Sequence, residues 1–403
     1  MAKPITIQDI KTFLIQTASA ATRFIIVKII TSEPGLYGLG CATFTQRFKA
    51  VVAALEDHLK PFAIGKDVAR VEEFFQMGMV QGSLRNGPVL NNAISGIDMA
   101  LWDIKGKMAN MPVYDLLGGK CREAVAVYAH ADGRDPQEVV DNVWKFREQG
   151  YHFIRVQMGG YGGKTIGQPK PEGAPPGNYF DPRAYTRDML KMIETVRAQV
   201  GEEVELLHDV HERLAPIDTV KFAKDVEQFK LFFLEDSLAP EDIEWFRMIR
   251  KQCATPIAMG ELLNNPHEWR LLIEERLVDF IRMHISAMGG ITPARNAAIH
   301  ANVYGIRTAW HGPGDTSPVG HAANMHLDIW EPNFGIQEWC RFDPLVYDMF
   351  PGLPEVRQGY MYPNQKPGLG IDINEPLAAK YPCRDEVDWW TQTRLPDGSP
   401  ARP

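Results

Sequence analysis

The sequence predicts an α/β protein: a TIM-type βα barrel preceded by an α+β unit. Three observations carry that prediction. The stretch from Val204 to Glu261 contains the runs VELLHDVH, KLFFLEDS and TPIAMGE, each short, apolar and closing on an acid. The acids are Asp209, Glu235 and Glu261, 26 residues apart in both steps (209 to 235, 235 to 261). Such unbroken apolar runs mark strands buried on both faces, as in a parallel sheet. The segments between them, PIDTVKFAKDVEQF and PEDIEWFRMIRK, have helical periodicity instead. The alternation also extends well beyond this stretch. From Glu123 to about residue 340, eight runs recur: EAVAVYAH, YHFIRVQ, VELLHDVH, KLFFLEDS, TPIAMGE, VDFIRM, RTAWHGPGD and FGIQEW. Eight strands at this spacing suit a barrel that allots roughly 31 residues to each unit. An open doubly wound sheet usually begins with a phosphate-binding G-x-G-x-x-G, which this chain lacks.

Before Glu123 the pattern differs. TIQDIKTFLI and RFIIVKIIT read as strands closed by the glycine-rich EPGLYGLG, a β-meander. Helical patterns follow over 47–60 and 68–80, and GPVLNNAISGIDMALWDIKGKMANMPVYDLLGG (87–119) reads as a long helix and a proline-led second one. Strands followed by helices without alternation describe an α+β unit. The Gly- and Pro-rich insertion over 158–182 leaves the catalytic end of the second barrel strand and reads as a lid over the site. The closing RLPDGSPARP is expected to return over the N-terminal unit.

Composition excludes several classes. The chain has 403 residues, 45% hydrophobic and 23% charged, with a net charge of −8. That is ordinary for a globular protein, and the absence of a basic cluster argues against nucleic acid. No apolar run is long enough to span a bilayer, and MAKPITIQDIKTFLI lacks a secretory pattern. Five scattered cysteines without C-x-x-C spacing argue for a reducing, cytoplasmic setting and against a zinc or disulfide framework.

Barrel chemistry sits at the C-terminal ends of the strands, where the polar residues of these runs fall. Three carboxylates converging there repel one another unless a cation lies between them, and hard oxygen donors suit Mg²⁺. His211, two residues beyond Asp209, is turned by strand alternation to the same side, where it could act as a general acid or base. Arg155 and Gln157 share the same i, i+2 pattern. Arg155 could clamp a carboxylate or lower the pKa of Tyr161, the nearest tyrosine. Arg282, His311 and Glu338 end the last three strands, with Asp315 and His130 as further candidates. Arg, His and Glu around magnesium suit a small, anionic, polyhydroxylated ligand.

AISGIDMALWDIKGK and the Asp–Glu–Glu set resemble the enolase superfamily in its mandelate racemase-like branch. HDVH, FLEDS, AMGE, IRM…GGIT, HGPGDTSPVGHAANMHLD and NFGIQE are similar to its mannonate dehydratase group, which includes gluconate dehydratases and galactonate-dehydratase-like members. The resemblance covers nearly the whole chain. It implies an α+β capping domain over 1–122 completed by 370–403, a (β/α)7β barrel over 123–369, one Mg²⁺ and homo-oligomers. By resemblance Asp209, Glu235 and Glu261 are the metal ligands, and His211 is the acid at the leaving hydroxyl. Arg155 belongs to an arginine–tyrosine base pair. Thr45, His130, Arg282, His311, Asp315 and Glu338 line the substrate.

The expected reaction is dehydration of D-mannonate or D-gluconate to a 2-keto-3-deoxy acid, at low efficiency. Alternatives are another acid sugar, or a metal-binding relative acting as a sensor without catalysis. Departures from the efficient members motivate those alternatives. Gly167 stands where they carry the base tyrosine, Thr45 replaces an asparagine, and SPARP replaces an aromatic C-terminus. Arg282 also stands where racemases place the aspartate of a His–Asp dyad, which argues against racemisation.

Overall fold

A computed structural model describes residues 3–17, 22–159, 171–386 and 393–402. The N-terminal unit opens with an antiparallel meander of β1 (Ile7–Ile15), β2 (Phe24–Thr31) and β3 (Tyr37–Cys41). Its partner is the helix Pro88–Ala109, buried along most of its length. Two glycines allow the close approach: a Cβ on Gly40 would lie 1.9 Å from the Gly96 carbonyl oxygen. The helix ends at Asn110, whose left-handed backbone (φ 52°) terminates it in the usual way.

The barrel is closed and parallel. Its strands are β4 (Val125–Gly133), β5 (Phe153–Met158), β7 (Glu205–Asp209), β8 (Phe233–Glu235), β9 (Ile257–Met259), β10 (Phe280–Ile281), β11 (Arg307–Thr308) and β12 (Gln337–Glu338). They pair in that order through parallel ladders. A bridge from Thr308 to Phe334 and the β12–β4 ladder close the ring. Helices Pro136–Glu148, Pro182–Val200, Pro216–Asp225, Phe246–Gln252, Pro266–Glu274, Ile291–Val303 and Pro318–Trp330 connect successive strands, the (β/α)7β pattern. The later strands are shorter than their apolar runs. Chain-to-chain pairing nonetheless continues: Ala309 N donates to Ile281 O at 3.0 Å and His311 N to Met283 O at 3.2 Å.

Inside the barrel, Tyr128, Leu207, Phe233, Ala258, Phe280, Ala309 and Ile336 form a fully buried apolar plug. Two residues further along the same strands lie His130, Asp209, Glu235, Arg282, His311 and Glu338, and Arg155 stands in the same relation to Phe153. The period of two that makes the plug therefore also makes the polar layer above it. One strand breaks the rule. Two residues beyond Ala258 is Gly260, with φ 149°, where a Cβ would meet Arg282 N at 2.9 Å. Glu261 reaches the mouth from the turn that this glycine permits.

The insertion lies partly outside the described residues, so its reading as a lid falls there for 160–170. Its described end forms β6 (Asn178–Tyr179), which pairs in parallel with β15 (Thr393–Arg394). The expectation for the C-terminus needs correction. Residues near 382 do run along β1, with Gln16 N donating to Tyr381 O at 3.0 Å. RLPDGSPARP instead lies against the insertion: Phe180 N donates to Arg394 O at 2.8 Å, and Arg402 pairs with Asp242 at 2.7 Å. The edge of a two-residue strand supplies backbone groups that this tail satisfies. A hairpin of β13 (Glu355–Arg357) and β14 (Tyr360–Tyr362) adds antiparallel pairing to the start of β4. No helix among the described residues is long and apolar enough to cross a membrane.

Candidate active site

Two arginines hold the mouth of the barrel together. Arg155 Nη1 lies 3.1 Å from Asp209 Oδ2, 3.7 Å from Glu235 Oε1 and 3.7 Å from Glu338 Oε1. Arg282, fully buried, ion-pairs with Glu261 and Glu338, lies 3.0 Å from Glu235 Oε1 and donates to the Tyr128 hydroxyl at 3.2 Å. The Tyr128 hydroxyl passes this on to Glu235 Oε2 at 3.2 Å. Gln157 joins the layer by donating to Asp209 O at 3.0 Å.

The charges sort into two groups. Burial raises the Asp209 carboxyl to about 7 and that of Glu235 to about 8, with neighbouring acids adding to the rise and the arginines opposing it. Burial also acts on Glu261 and Glu338, but cationic neighbours outweigh it. His311 and Arg282 hold Glu261 well below the usual carboxylate range, and Arg282 with His130 does the same for Glu338. His311 has both ring nitrogens on carboxylates, Nδ1 at 2.9 Å from Glu261 Oε2 and Nε2 at 3.0 Å from Asp315 Oδ1. These overcome the effect of burial and keep it protonated. With both nitrogens on carboxylates, His311 acts in this arrangement as a donor of hydrogen bonds. His130 is the opposite case: burial, then Arg155, lowers its pKa, and its Nε2 lies 3.0 Å from Glu338 Oε1.

His211 is reached differently from the sequence expectation. β7 ends at Asp209, and His211 and Glu212 take left-handed backbone angles (φ 52° and 53°). A tight turn, rather than strand alternation, places His211. Its amide donates to Asp209 Oδ1 at 2.8 Å, and its imidazole lies near enough to lower the Glu261 pKa. Thr45 opens the short helical turn after β3 and accepts from Arg23 N at 3.4 Å. Just before it, Ser286 Oγ from the barrel donates to the Cys41 carbonyl at 3.3 Å. Tyr161 and Gly167 lie outside the described residues.

Two neighbours of predicted residues escaped the sequence reading. His284 stacks on His311 with ring centroids 4.8 Å apart, and its Nδ1 accepts from Ser286 N at 3.1 Å. That leaves its proton on Nε2, a neutral donor beside the site. The i, i+2 relation to Arg282 in RMH was the available signal. Asp236, next to Glu235, is buried to 1% exposure.

Carboxylate oxygens of Asp209, Glu235 and Asp236 lie within 4.8 Å of one another. Both Asp236 oxygens receive no hydrogen bond, and Glu235 Oε1 has only its ion-pair contacts with the two arginines. Three clustered, buried hard carboxylates, one of them without any donor, fit a divalent cation such as Mg²⁺, and Glu261 stands nearby on Arg282 and His311. His284, His311 and Asp315 also cluster, but there both ring nitrogens of His311 are already engaged by Glu261 and Asp315.

Residues 138–377 match the enolase C-terminal domain-like family, and residues 5–118 match the mandelate racemase / muconate lactonizing enzyme N-terminal domain. The chain belongs to the enolase superfamily. Within that superfamily it belongs to the D-galactonate dehydratase family. It is 52% identical to a member from Salmonella enteritidis, over 98% of both chains, and 54% identical to one from Pantoea ananatis, over 98% of this chain and 99% of the relative. These relatives carry the galactonate rather than the mannonate dehydratase name. The crystal structure of an enolase from Pantoea ananatis with bound D-gluconate and Mg superposes with a TM-score of 0.96, at 53% identity, covering 99% of this chain and 100% of that one. A mandelate racemase/muconate lactonizing enzyme from Jannaschia, 22% identical with a TM-score of 0.84, shares the fold.

Proposed function

We propose that this enolase-superfamily protein is a Mg²⁺-dependent dehydratase of an acid sugar. D-Gluconate, D-mannonate and D-galactonate are the first substrates to test. The observation that carries the reading is the layout of the mouth: clustered buried carboxylates of Asp209, Glu235 and Asp236, beside a guanidinium, an imidazolium and a neutral imidazole donor. Asp209, Glu235 and Glu261 are the proposed ligands. When bound, Mg²⁺ supplies Lewis-acid stabilisation to a substrate carboxylate, which makes an adjacent C–H acidic.

The side chains divide the remaining work. Arg282 stays charged and fixes Glu261 and Glu338. Protonated His311 and the Nε2–H of His284 orient hydroxyl groups. His211, in its turn beside Asp209, gives a proton to the departing hydroxyl. Arg155 keeps positive charge beside the C2 proton, whose removal is assigned by resemblance to Tyr161. Racemisation through His311 is disfavoured, since both its nitrogens are already on carboxylates.

Incubation with Mg²⁺ and a panel of acid sugars in deuterated water is expected to yield a 2-keto-3-deoxy acid from at least one of them. Neither keto acid nor C2 exchange across the panel rejects the dehydratase reading.

Cation binding should also depend on pH. Asp209 and Glu235 are raised to about 7 and about 8, so in the metal-free protein they hold protons that a cation must displace. Mg²⁺ affinity is therefore expected to fall by more than about tenfold from pH 8 to pH 6, with protons released on binding. Calorimetry in buffers of different ionisation enthalpy reads both, and a pH-independent affinity without proton release contradicts the prediction.

A further inference from the structure

Asp236 follows Glu235 but takes no part in the ion-pair network around it. Continued strand alternation would turn it away from the mouth. Instead its backbone adopts φ 36°, a strained conformation for a residue with a side chain. Both neighbouring strands fix that conformation: Asp236 N donates to Ala258 O at 3.0 Å, and Glu212 N donates to Asp236 O at 2.8 Å. The turn brings a carboxylate oxygen within 4.8 Å of those of Asp209 and Glu235.

The side chain is 1% exposed, and neither oxygen receives a hydrogen bond. The two arginines are spent on other acids, Asp209, Glu235, Glu261 and Glu338. A buried carboxylate without a donor or a cation is among the costliest groups a fold can carry.

We propose that Asp236 is a direct ligand of the cation held by Asp209 and Glu235, so that both acids of FLEDS bind it. This rests on the metal reading above. Asp236 adds a donor oxygen and a charge at short range, and its strained turn is the backbone's means of presenting them. Its position next to a predicted ligand on the same strand concealed it, since alternation assigns the two acids to opposite faces.

Mg²⁺ is titrated calorimetrically into chelator-treated full-length protein without substrate, as wild type, Glu235→Gln and Asp236→Asn. Asp236→Asn is expected to bind at least about tenfold more weakly than wild type. Its melting temperature in EDTA should equal or exceed that of wild type, because a buried unpaired charge has gone. If wild type takes up no Mg²⁺, the metal reading falls and this inference with it. If wild type binds and Asp236→Asn stays within twofold of it, only the inference falls. Should the variant not fold, a crystal of Mg²⁺-loaded wild type decides the matter. An Asp236 oxygen at about 2.1 Å from the ion supports the assignment, and any longer separation overturns it.

Discussion

Arg282→Met is expected to lower the unfolding free energy by about 3–5 kcal/mol, because it leaves buried acids without their cation. Arg282 has 0% side-chain exposure and is shared by Glu235, Glu261 and Glu338. Methionine fills similar volume but brings no charge, so the loss is electrostatic rather than a cavity. The pH dependence gives a second readout. Arg282 helps to hold Glu261 and Glu338 well below the ordinary carboxylate range. Depressed acids contribute stability that is present above their unfolded pKa, about 4.3, and is lost as pH falls through the folded value. The deficit of the variant should therefore be full near neutrality and shrink under acid. Urea unfolding in EDTA at several pH values measures it. A loss below about 1 kcal/mol at pH 7, the scale of an exposed pair, would show that the network does not depend on this arginine.

Glu235→Gln should behave in the opposite way. Its carboxyl is raised to about 8 in the metal-free protein, chiefly by burial, so the acid sits there at an energetic disadvantage. The amide keeps the shape and cannot ionise, and stability in EDTA is expected to hold or rise. The cation should suffer instead, with Mg²⁺ affinity falling by about 100-fold or more. Dehydratase turnover should fall by about 10³, since the developing charge loses its main stabiliser. Titration calorimetry and a keto-acid assay on the same preparation separate the two effects. Affinity within twofold of wild type would remove Glu235 from the ligand set. Arg282 and Glu235 touch each other, yet one is expected to affect folding and the other function.

Much of this was legible in the sequence. The alternation of apolar runs and helices is a local property, and it predicted eight barrel strands that the structure closes into a ring. The period of two along each strand placed Arg155, Asp209, Glu235 and Glu338 in one polar layer, because the plug below them follows the same period. What alternation did not explain lies where strands end: His211 and Glu261 were named but reach the mouth by turns, and Asp236 was missed. His211, Asp236 and Glu261 all come after the last ladder residue, at φ values of 52° and 36° or behind Gly260 at 149°. There the period of two no longer governs which way a side chain points.

By itself, then, the sequence determined the barrel, the acids at its mouth and the family motifs they belong to, since these follow from patterns a few residues long. Only the tertiary structure decided how those acids share the available charge. Arg282 reaches Glu338, 56 residues away, and His311 is protonated because Glu261 comes to it from 50 residues off. Which acids are left without a partner, and so open to a cation, depends on contacts between strands and on the turns that end them, not on the spacing of the acids along the chain.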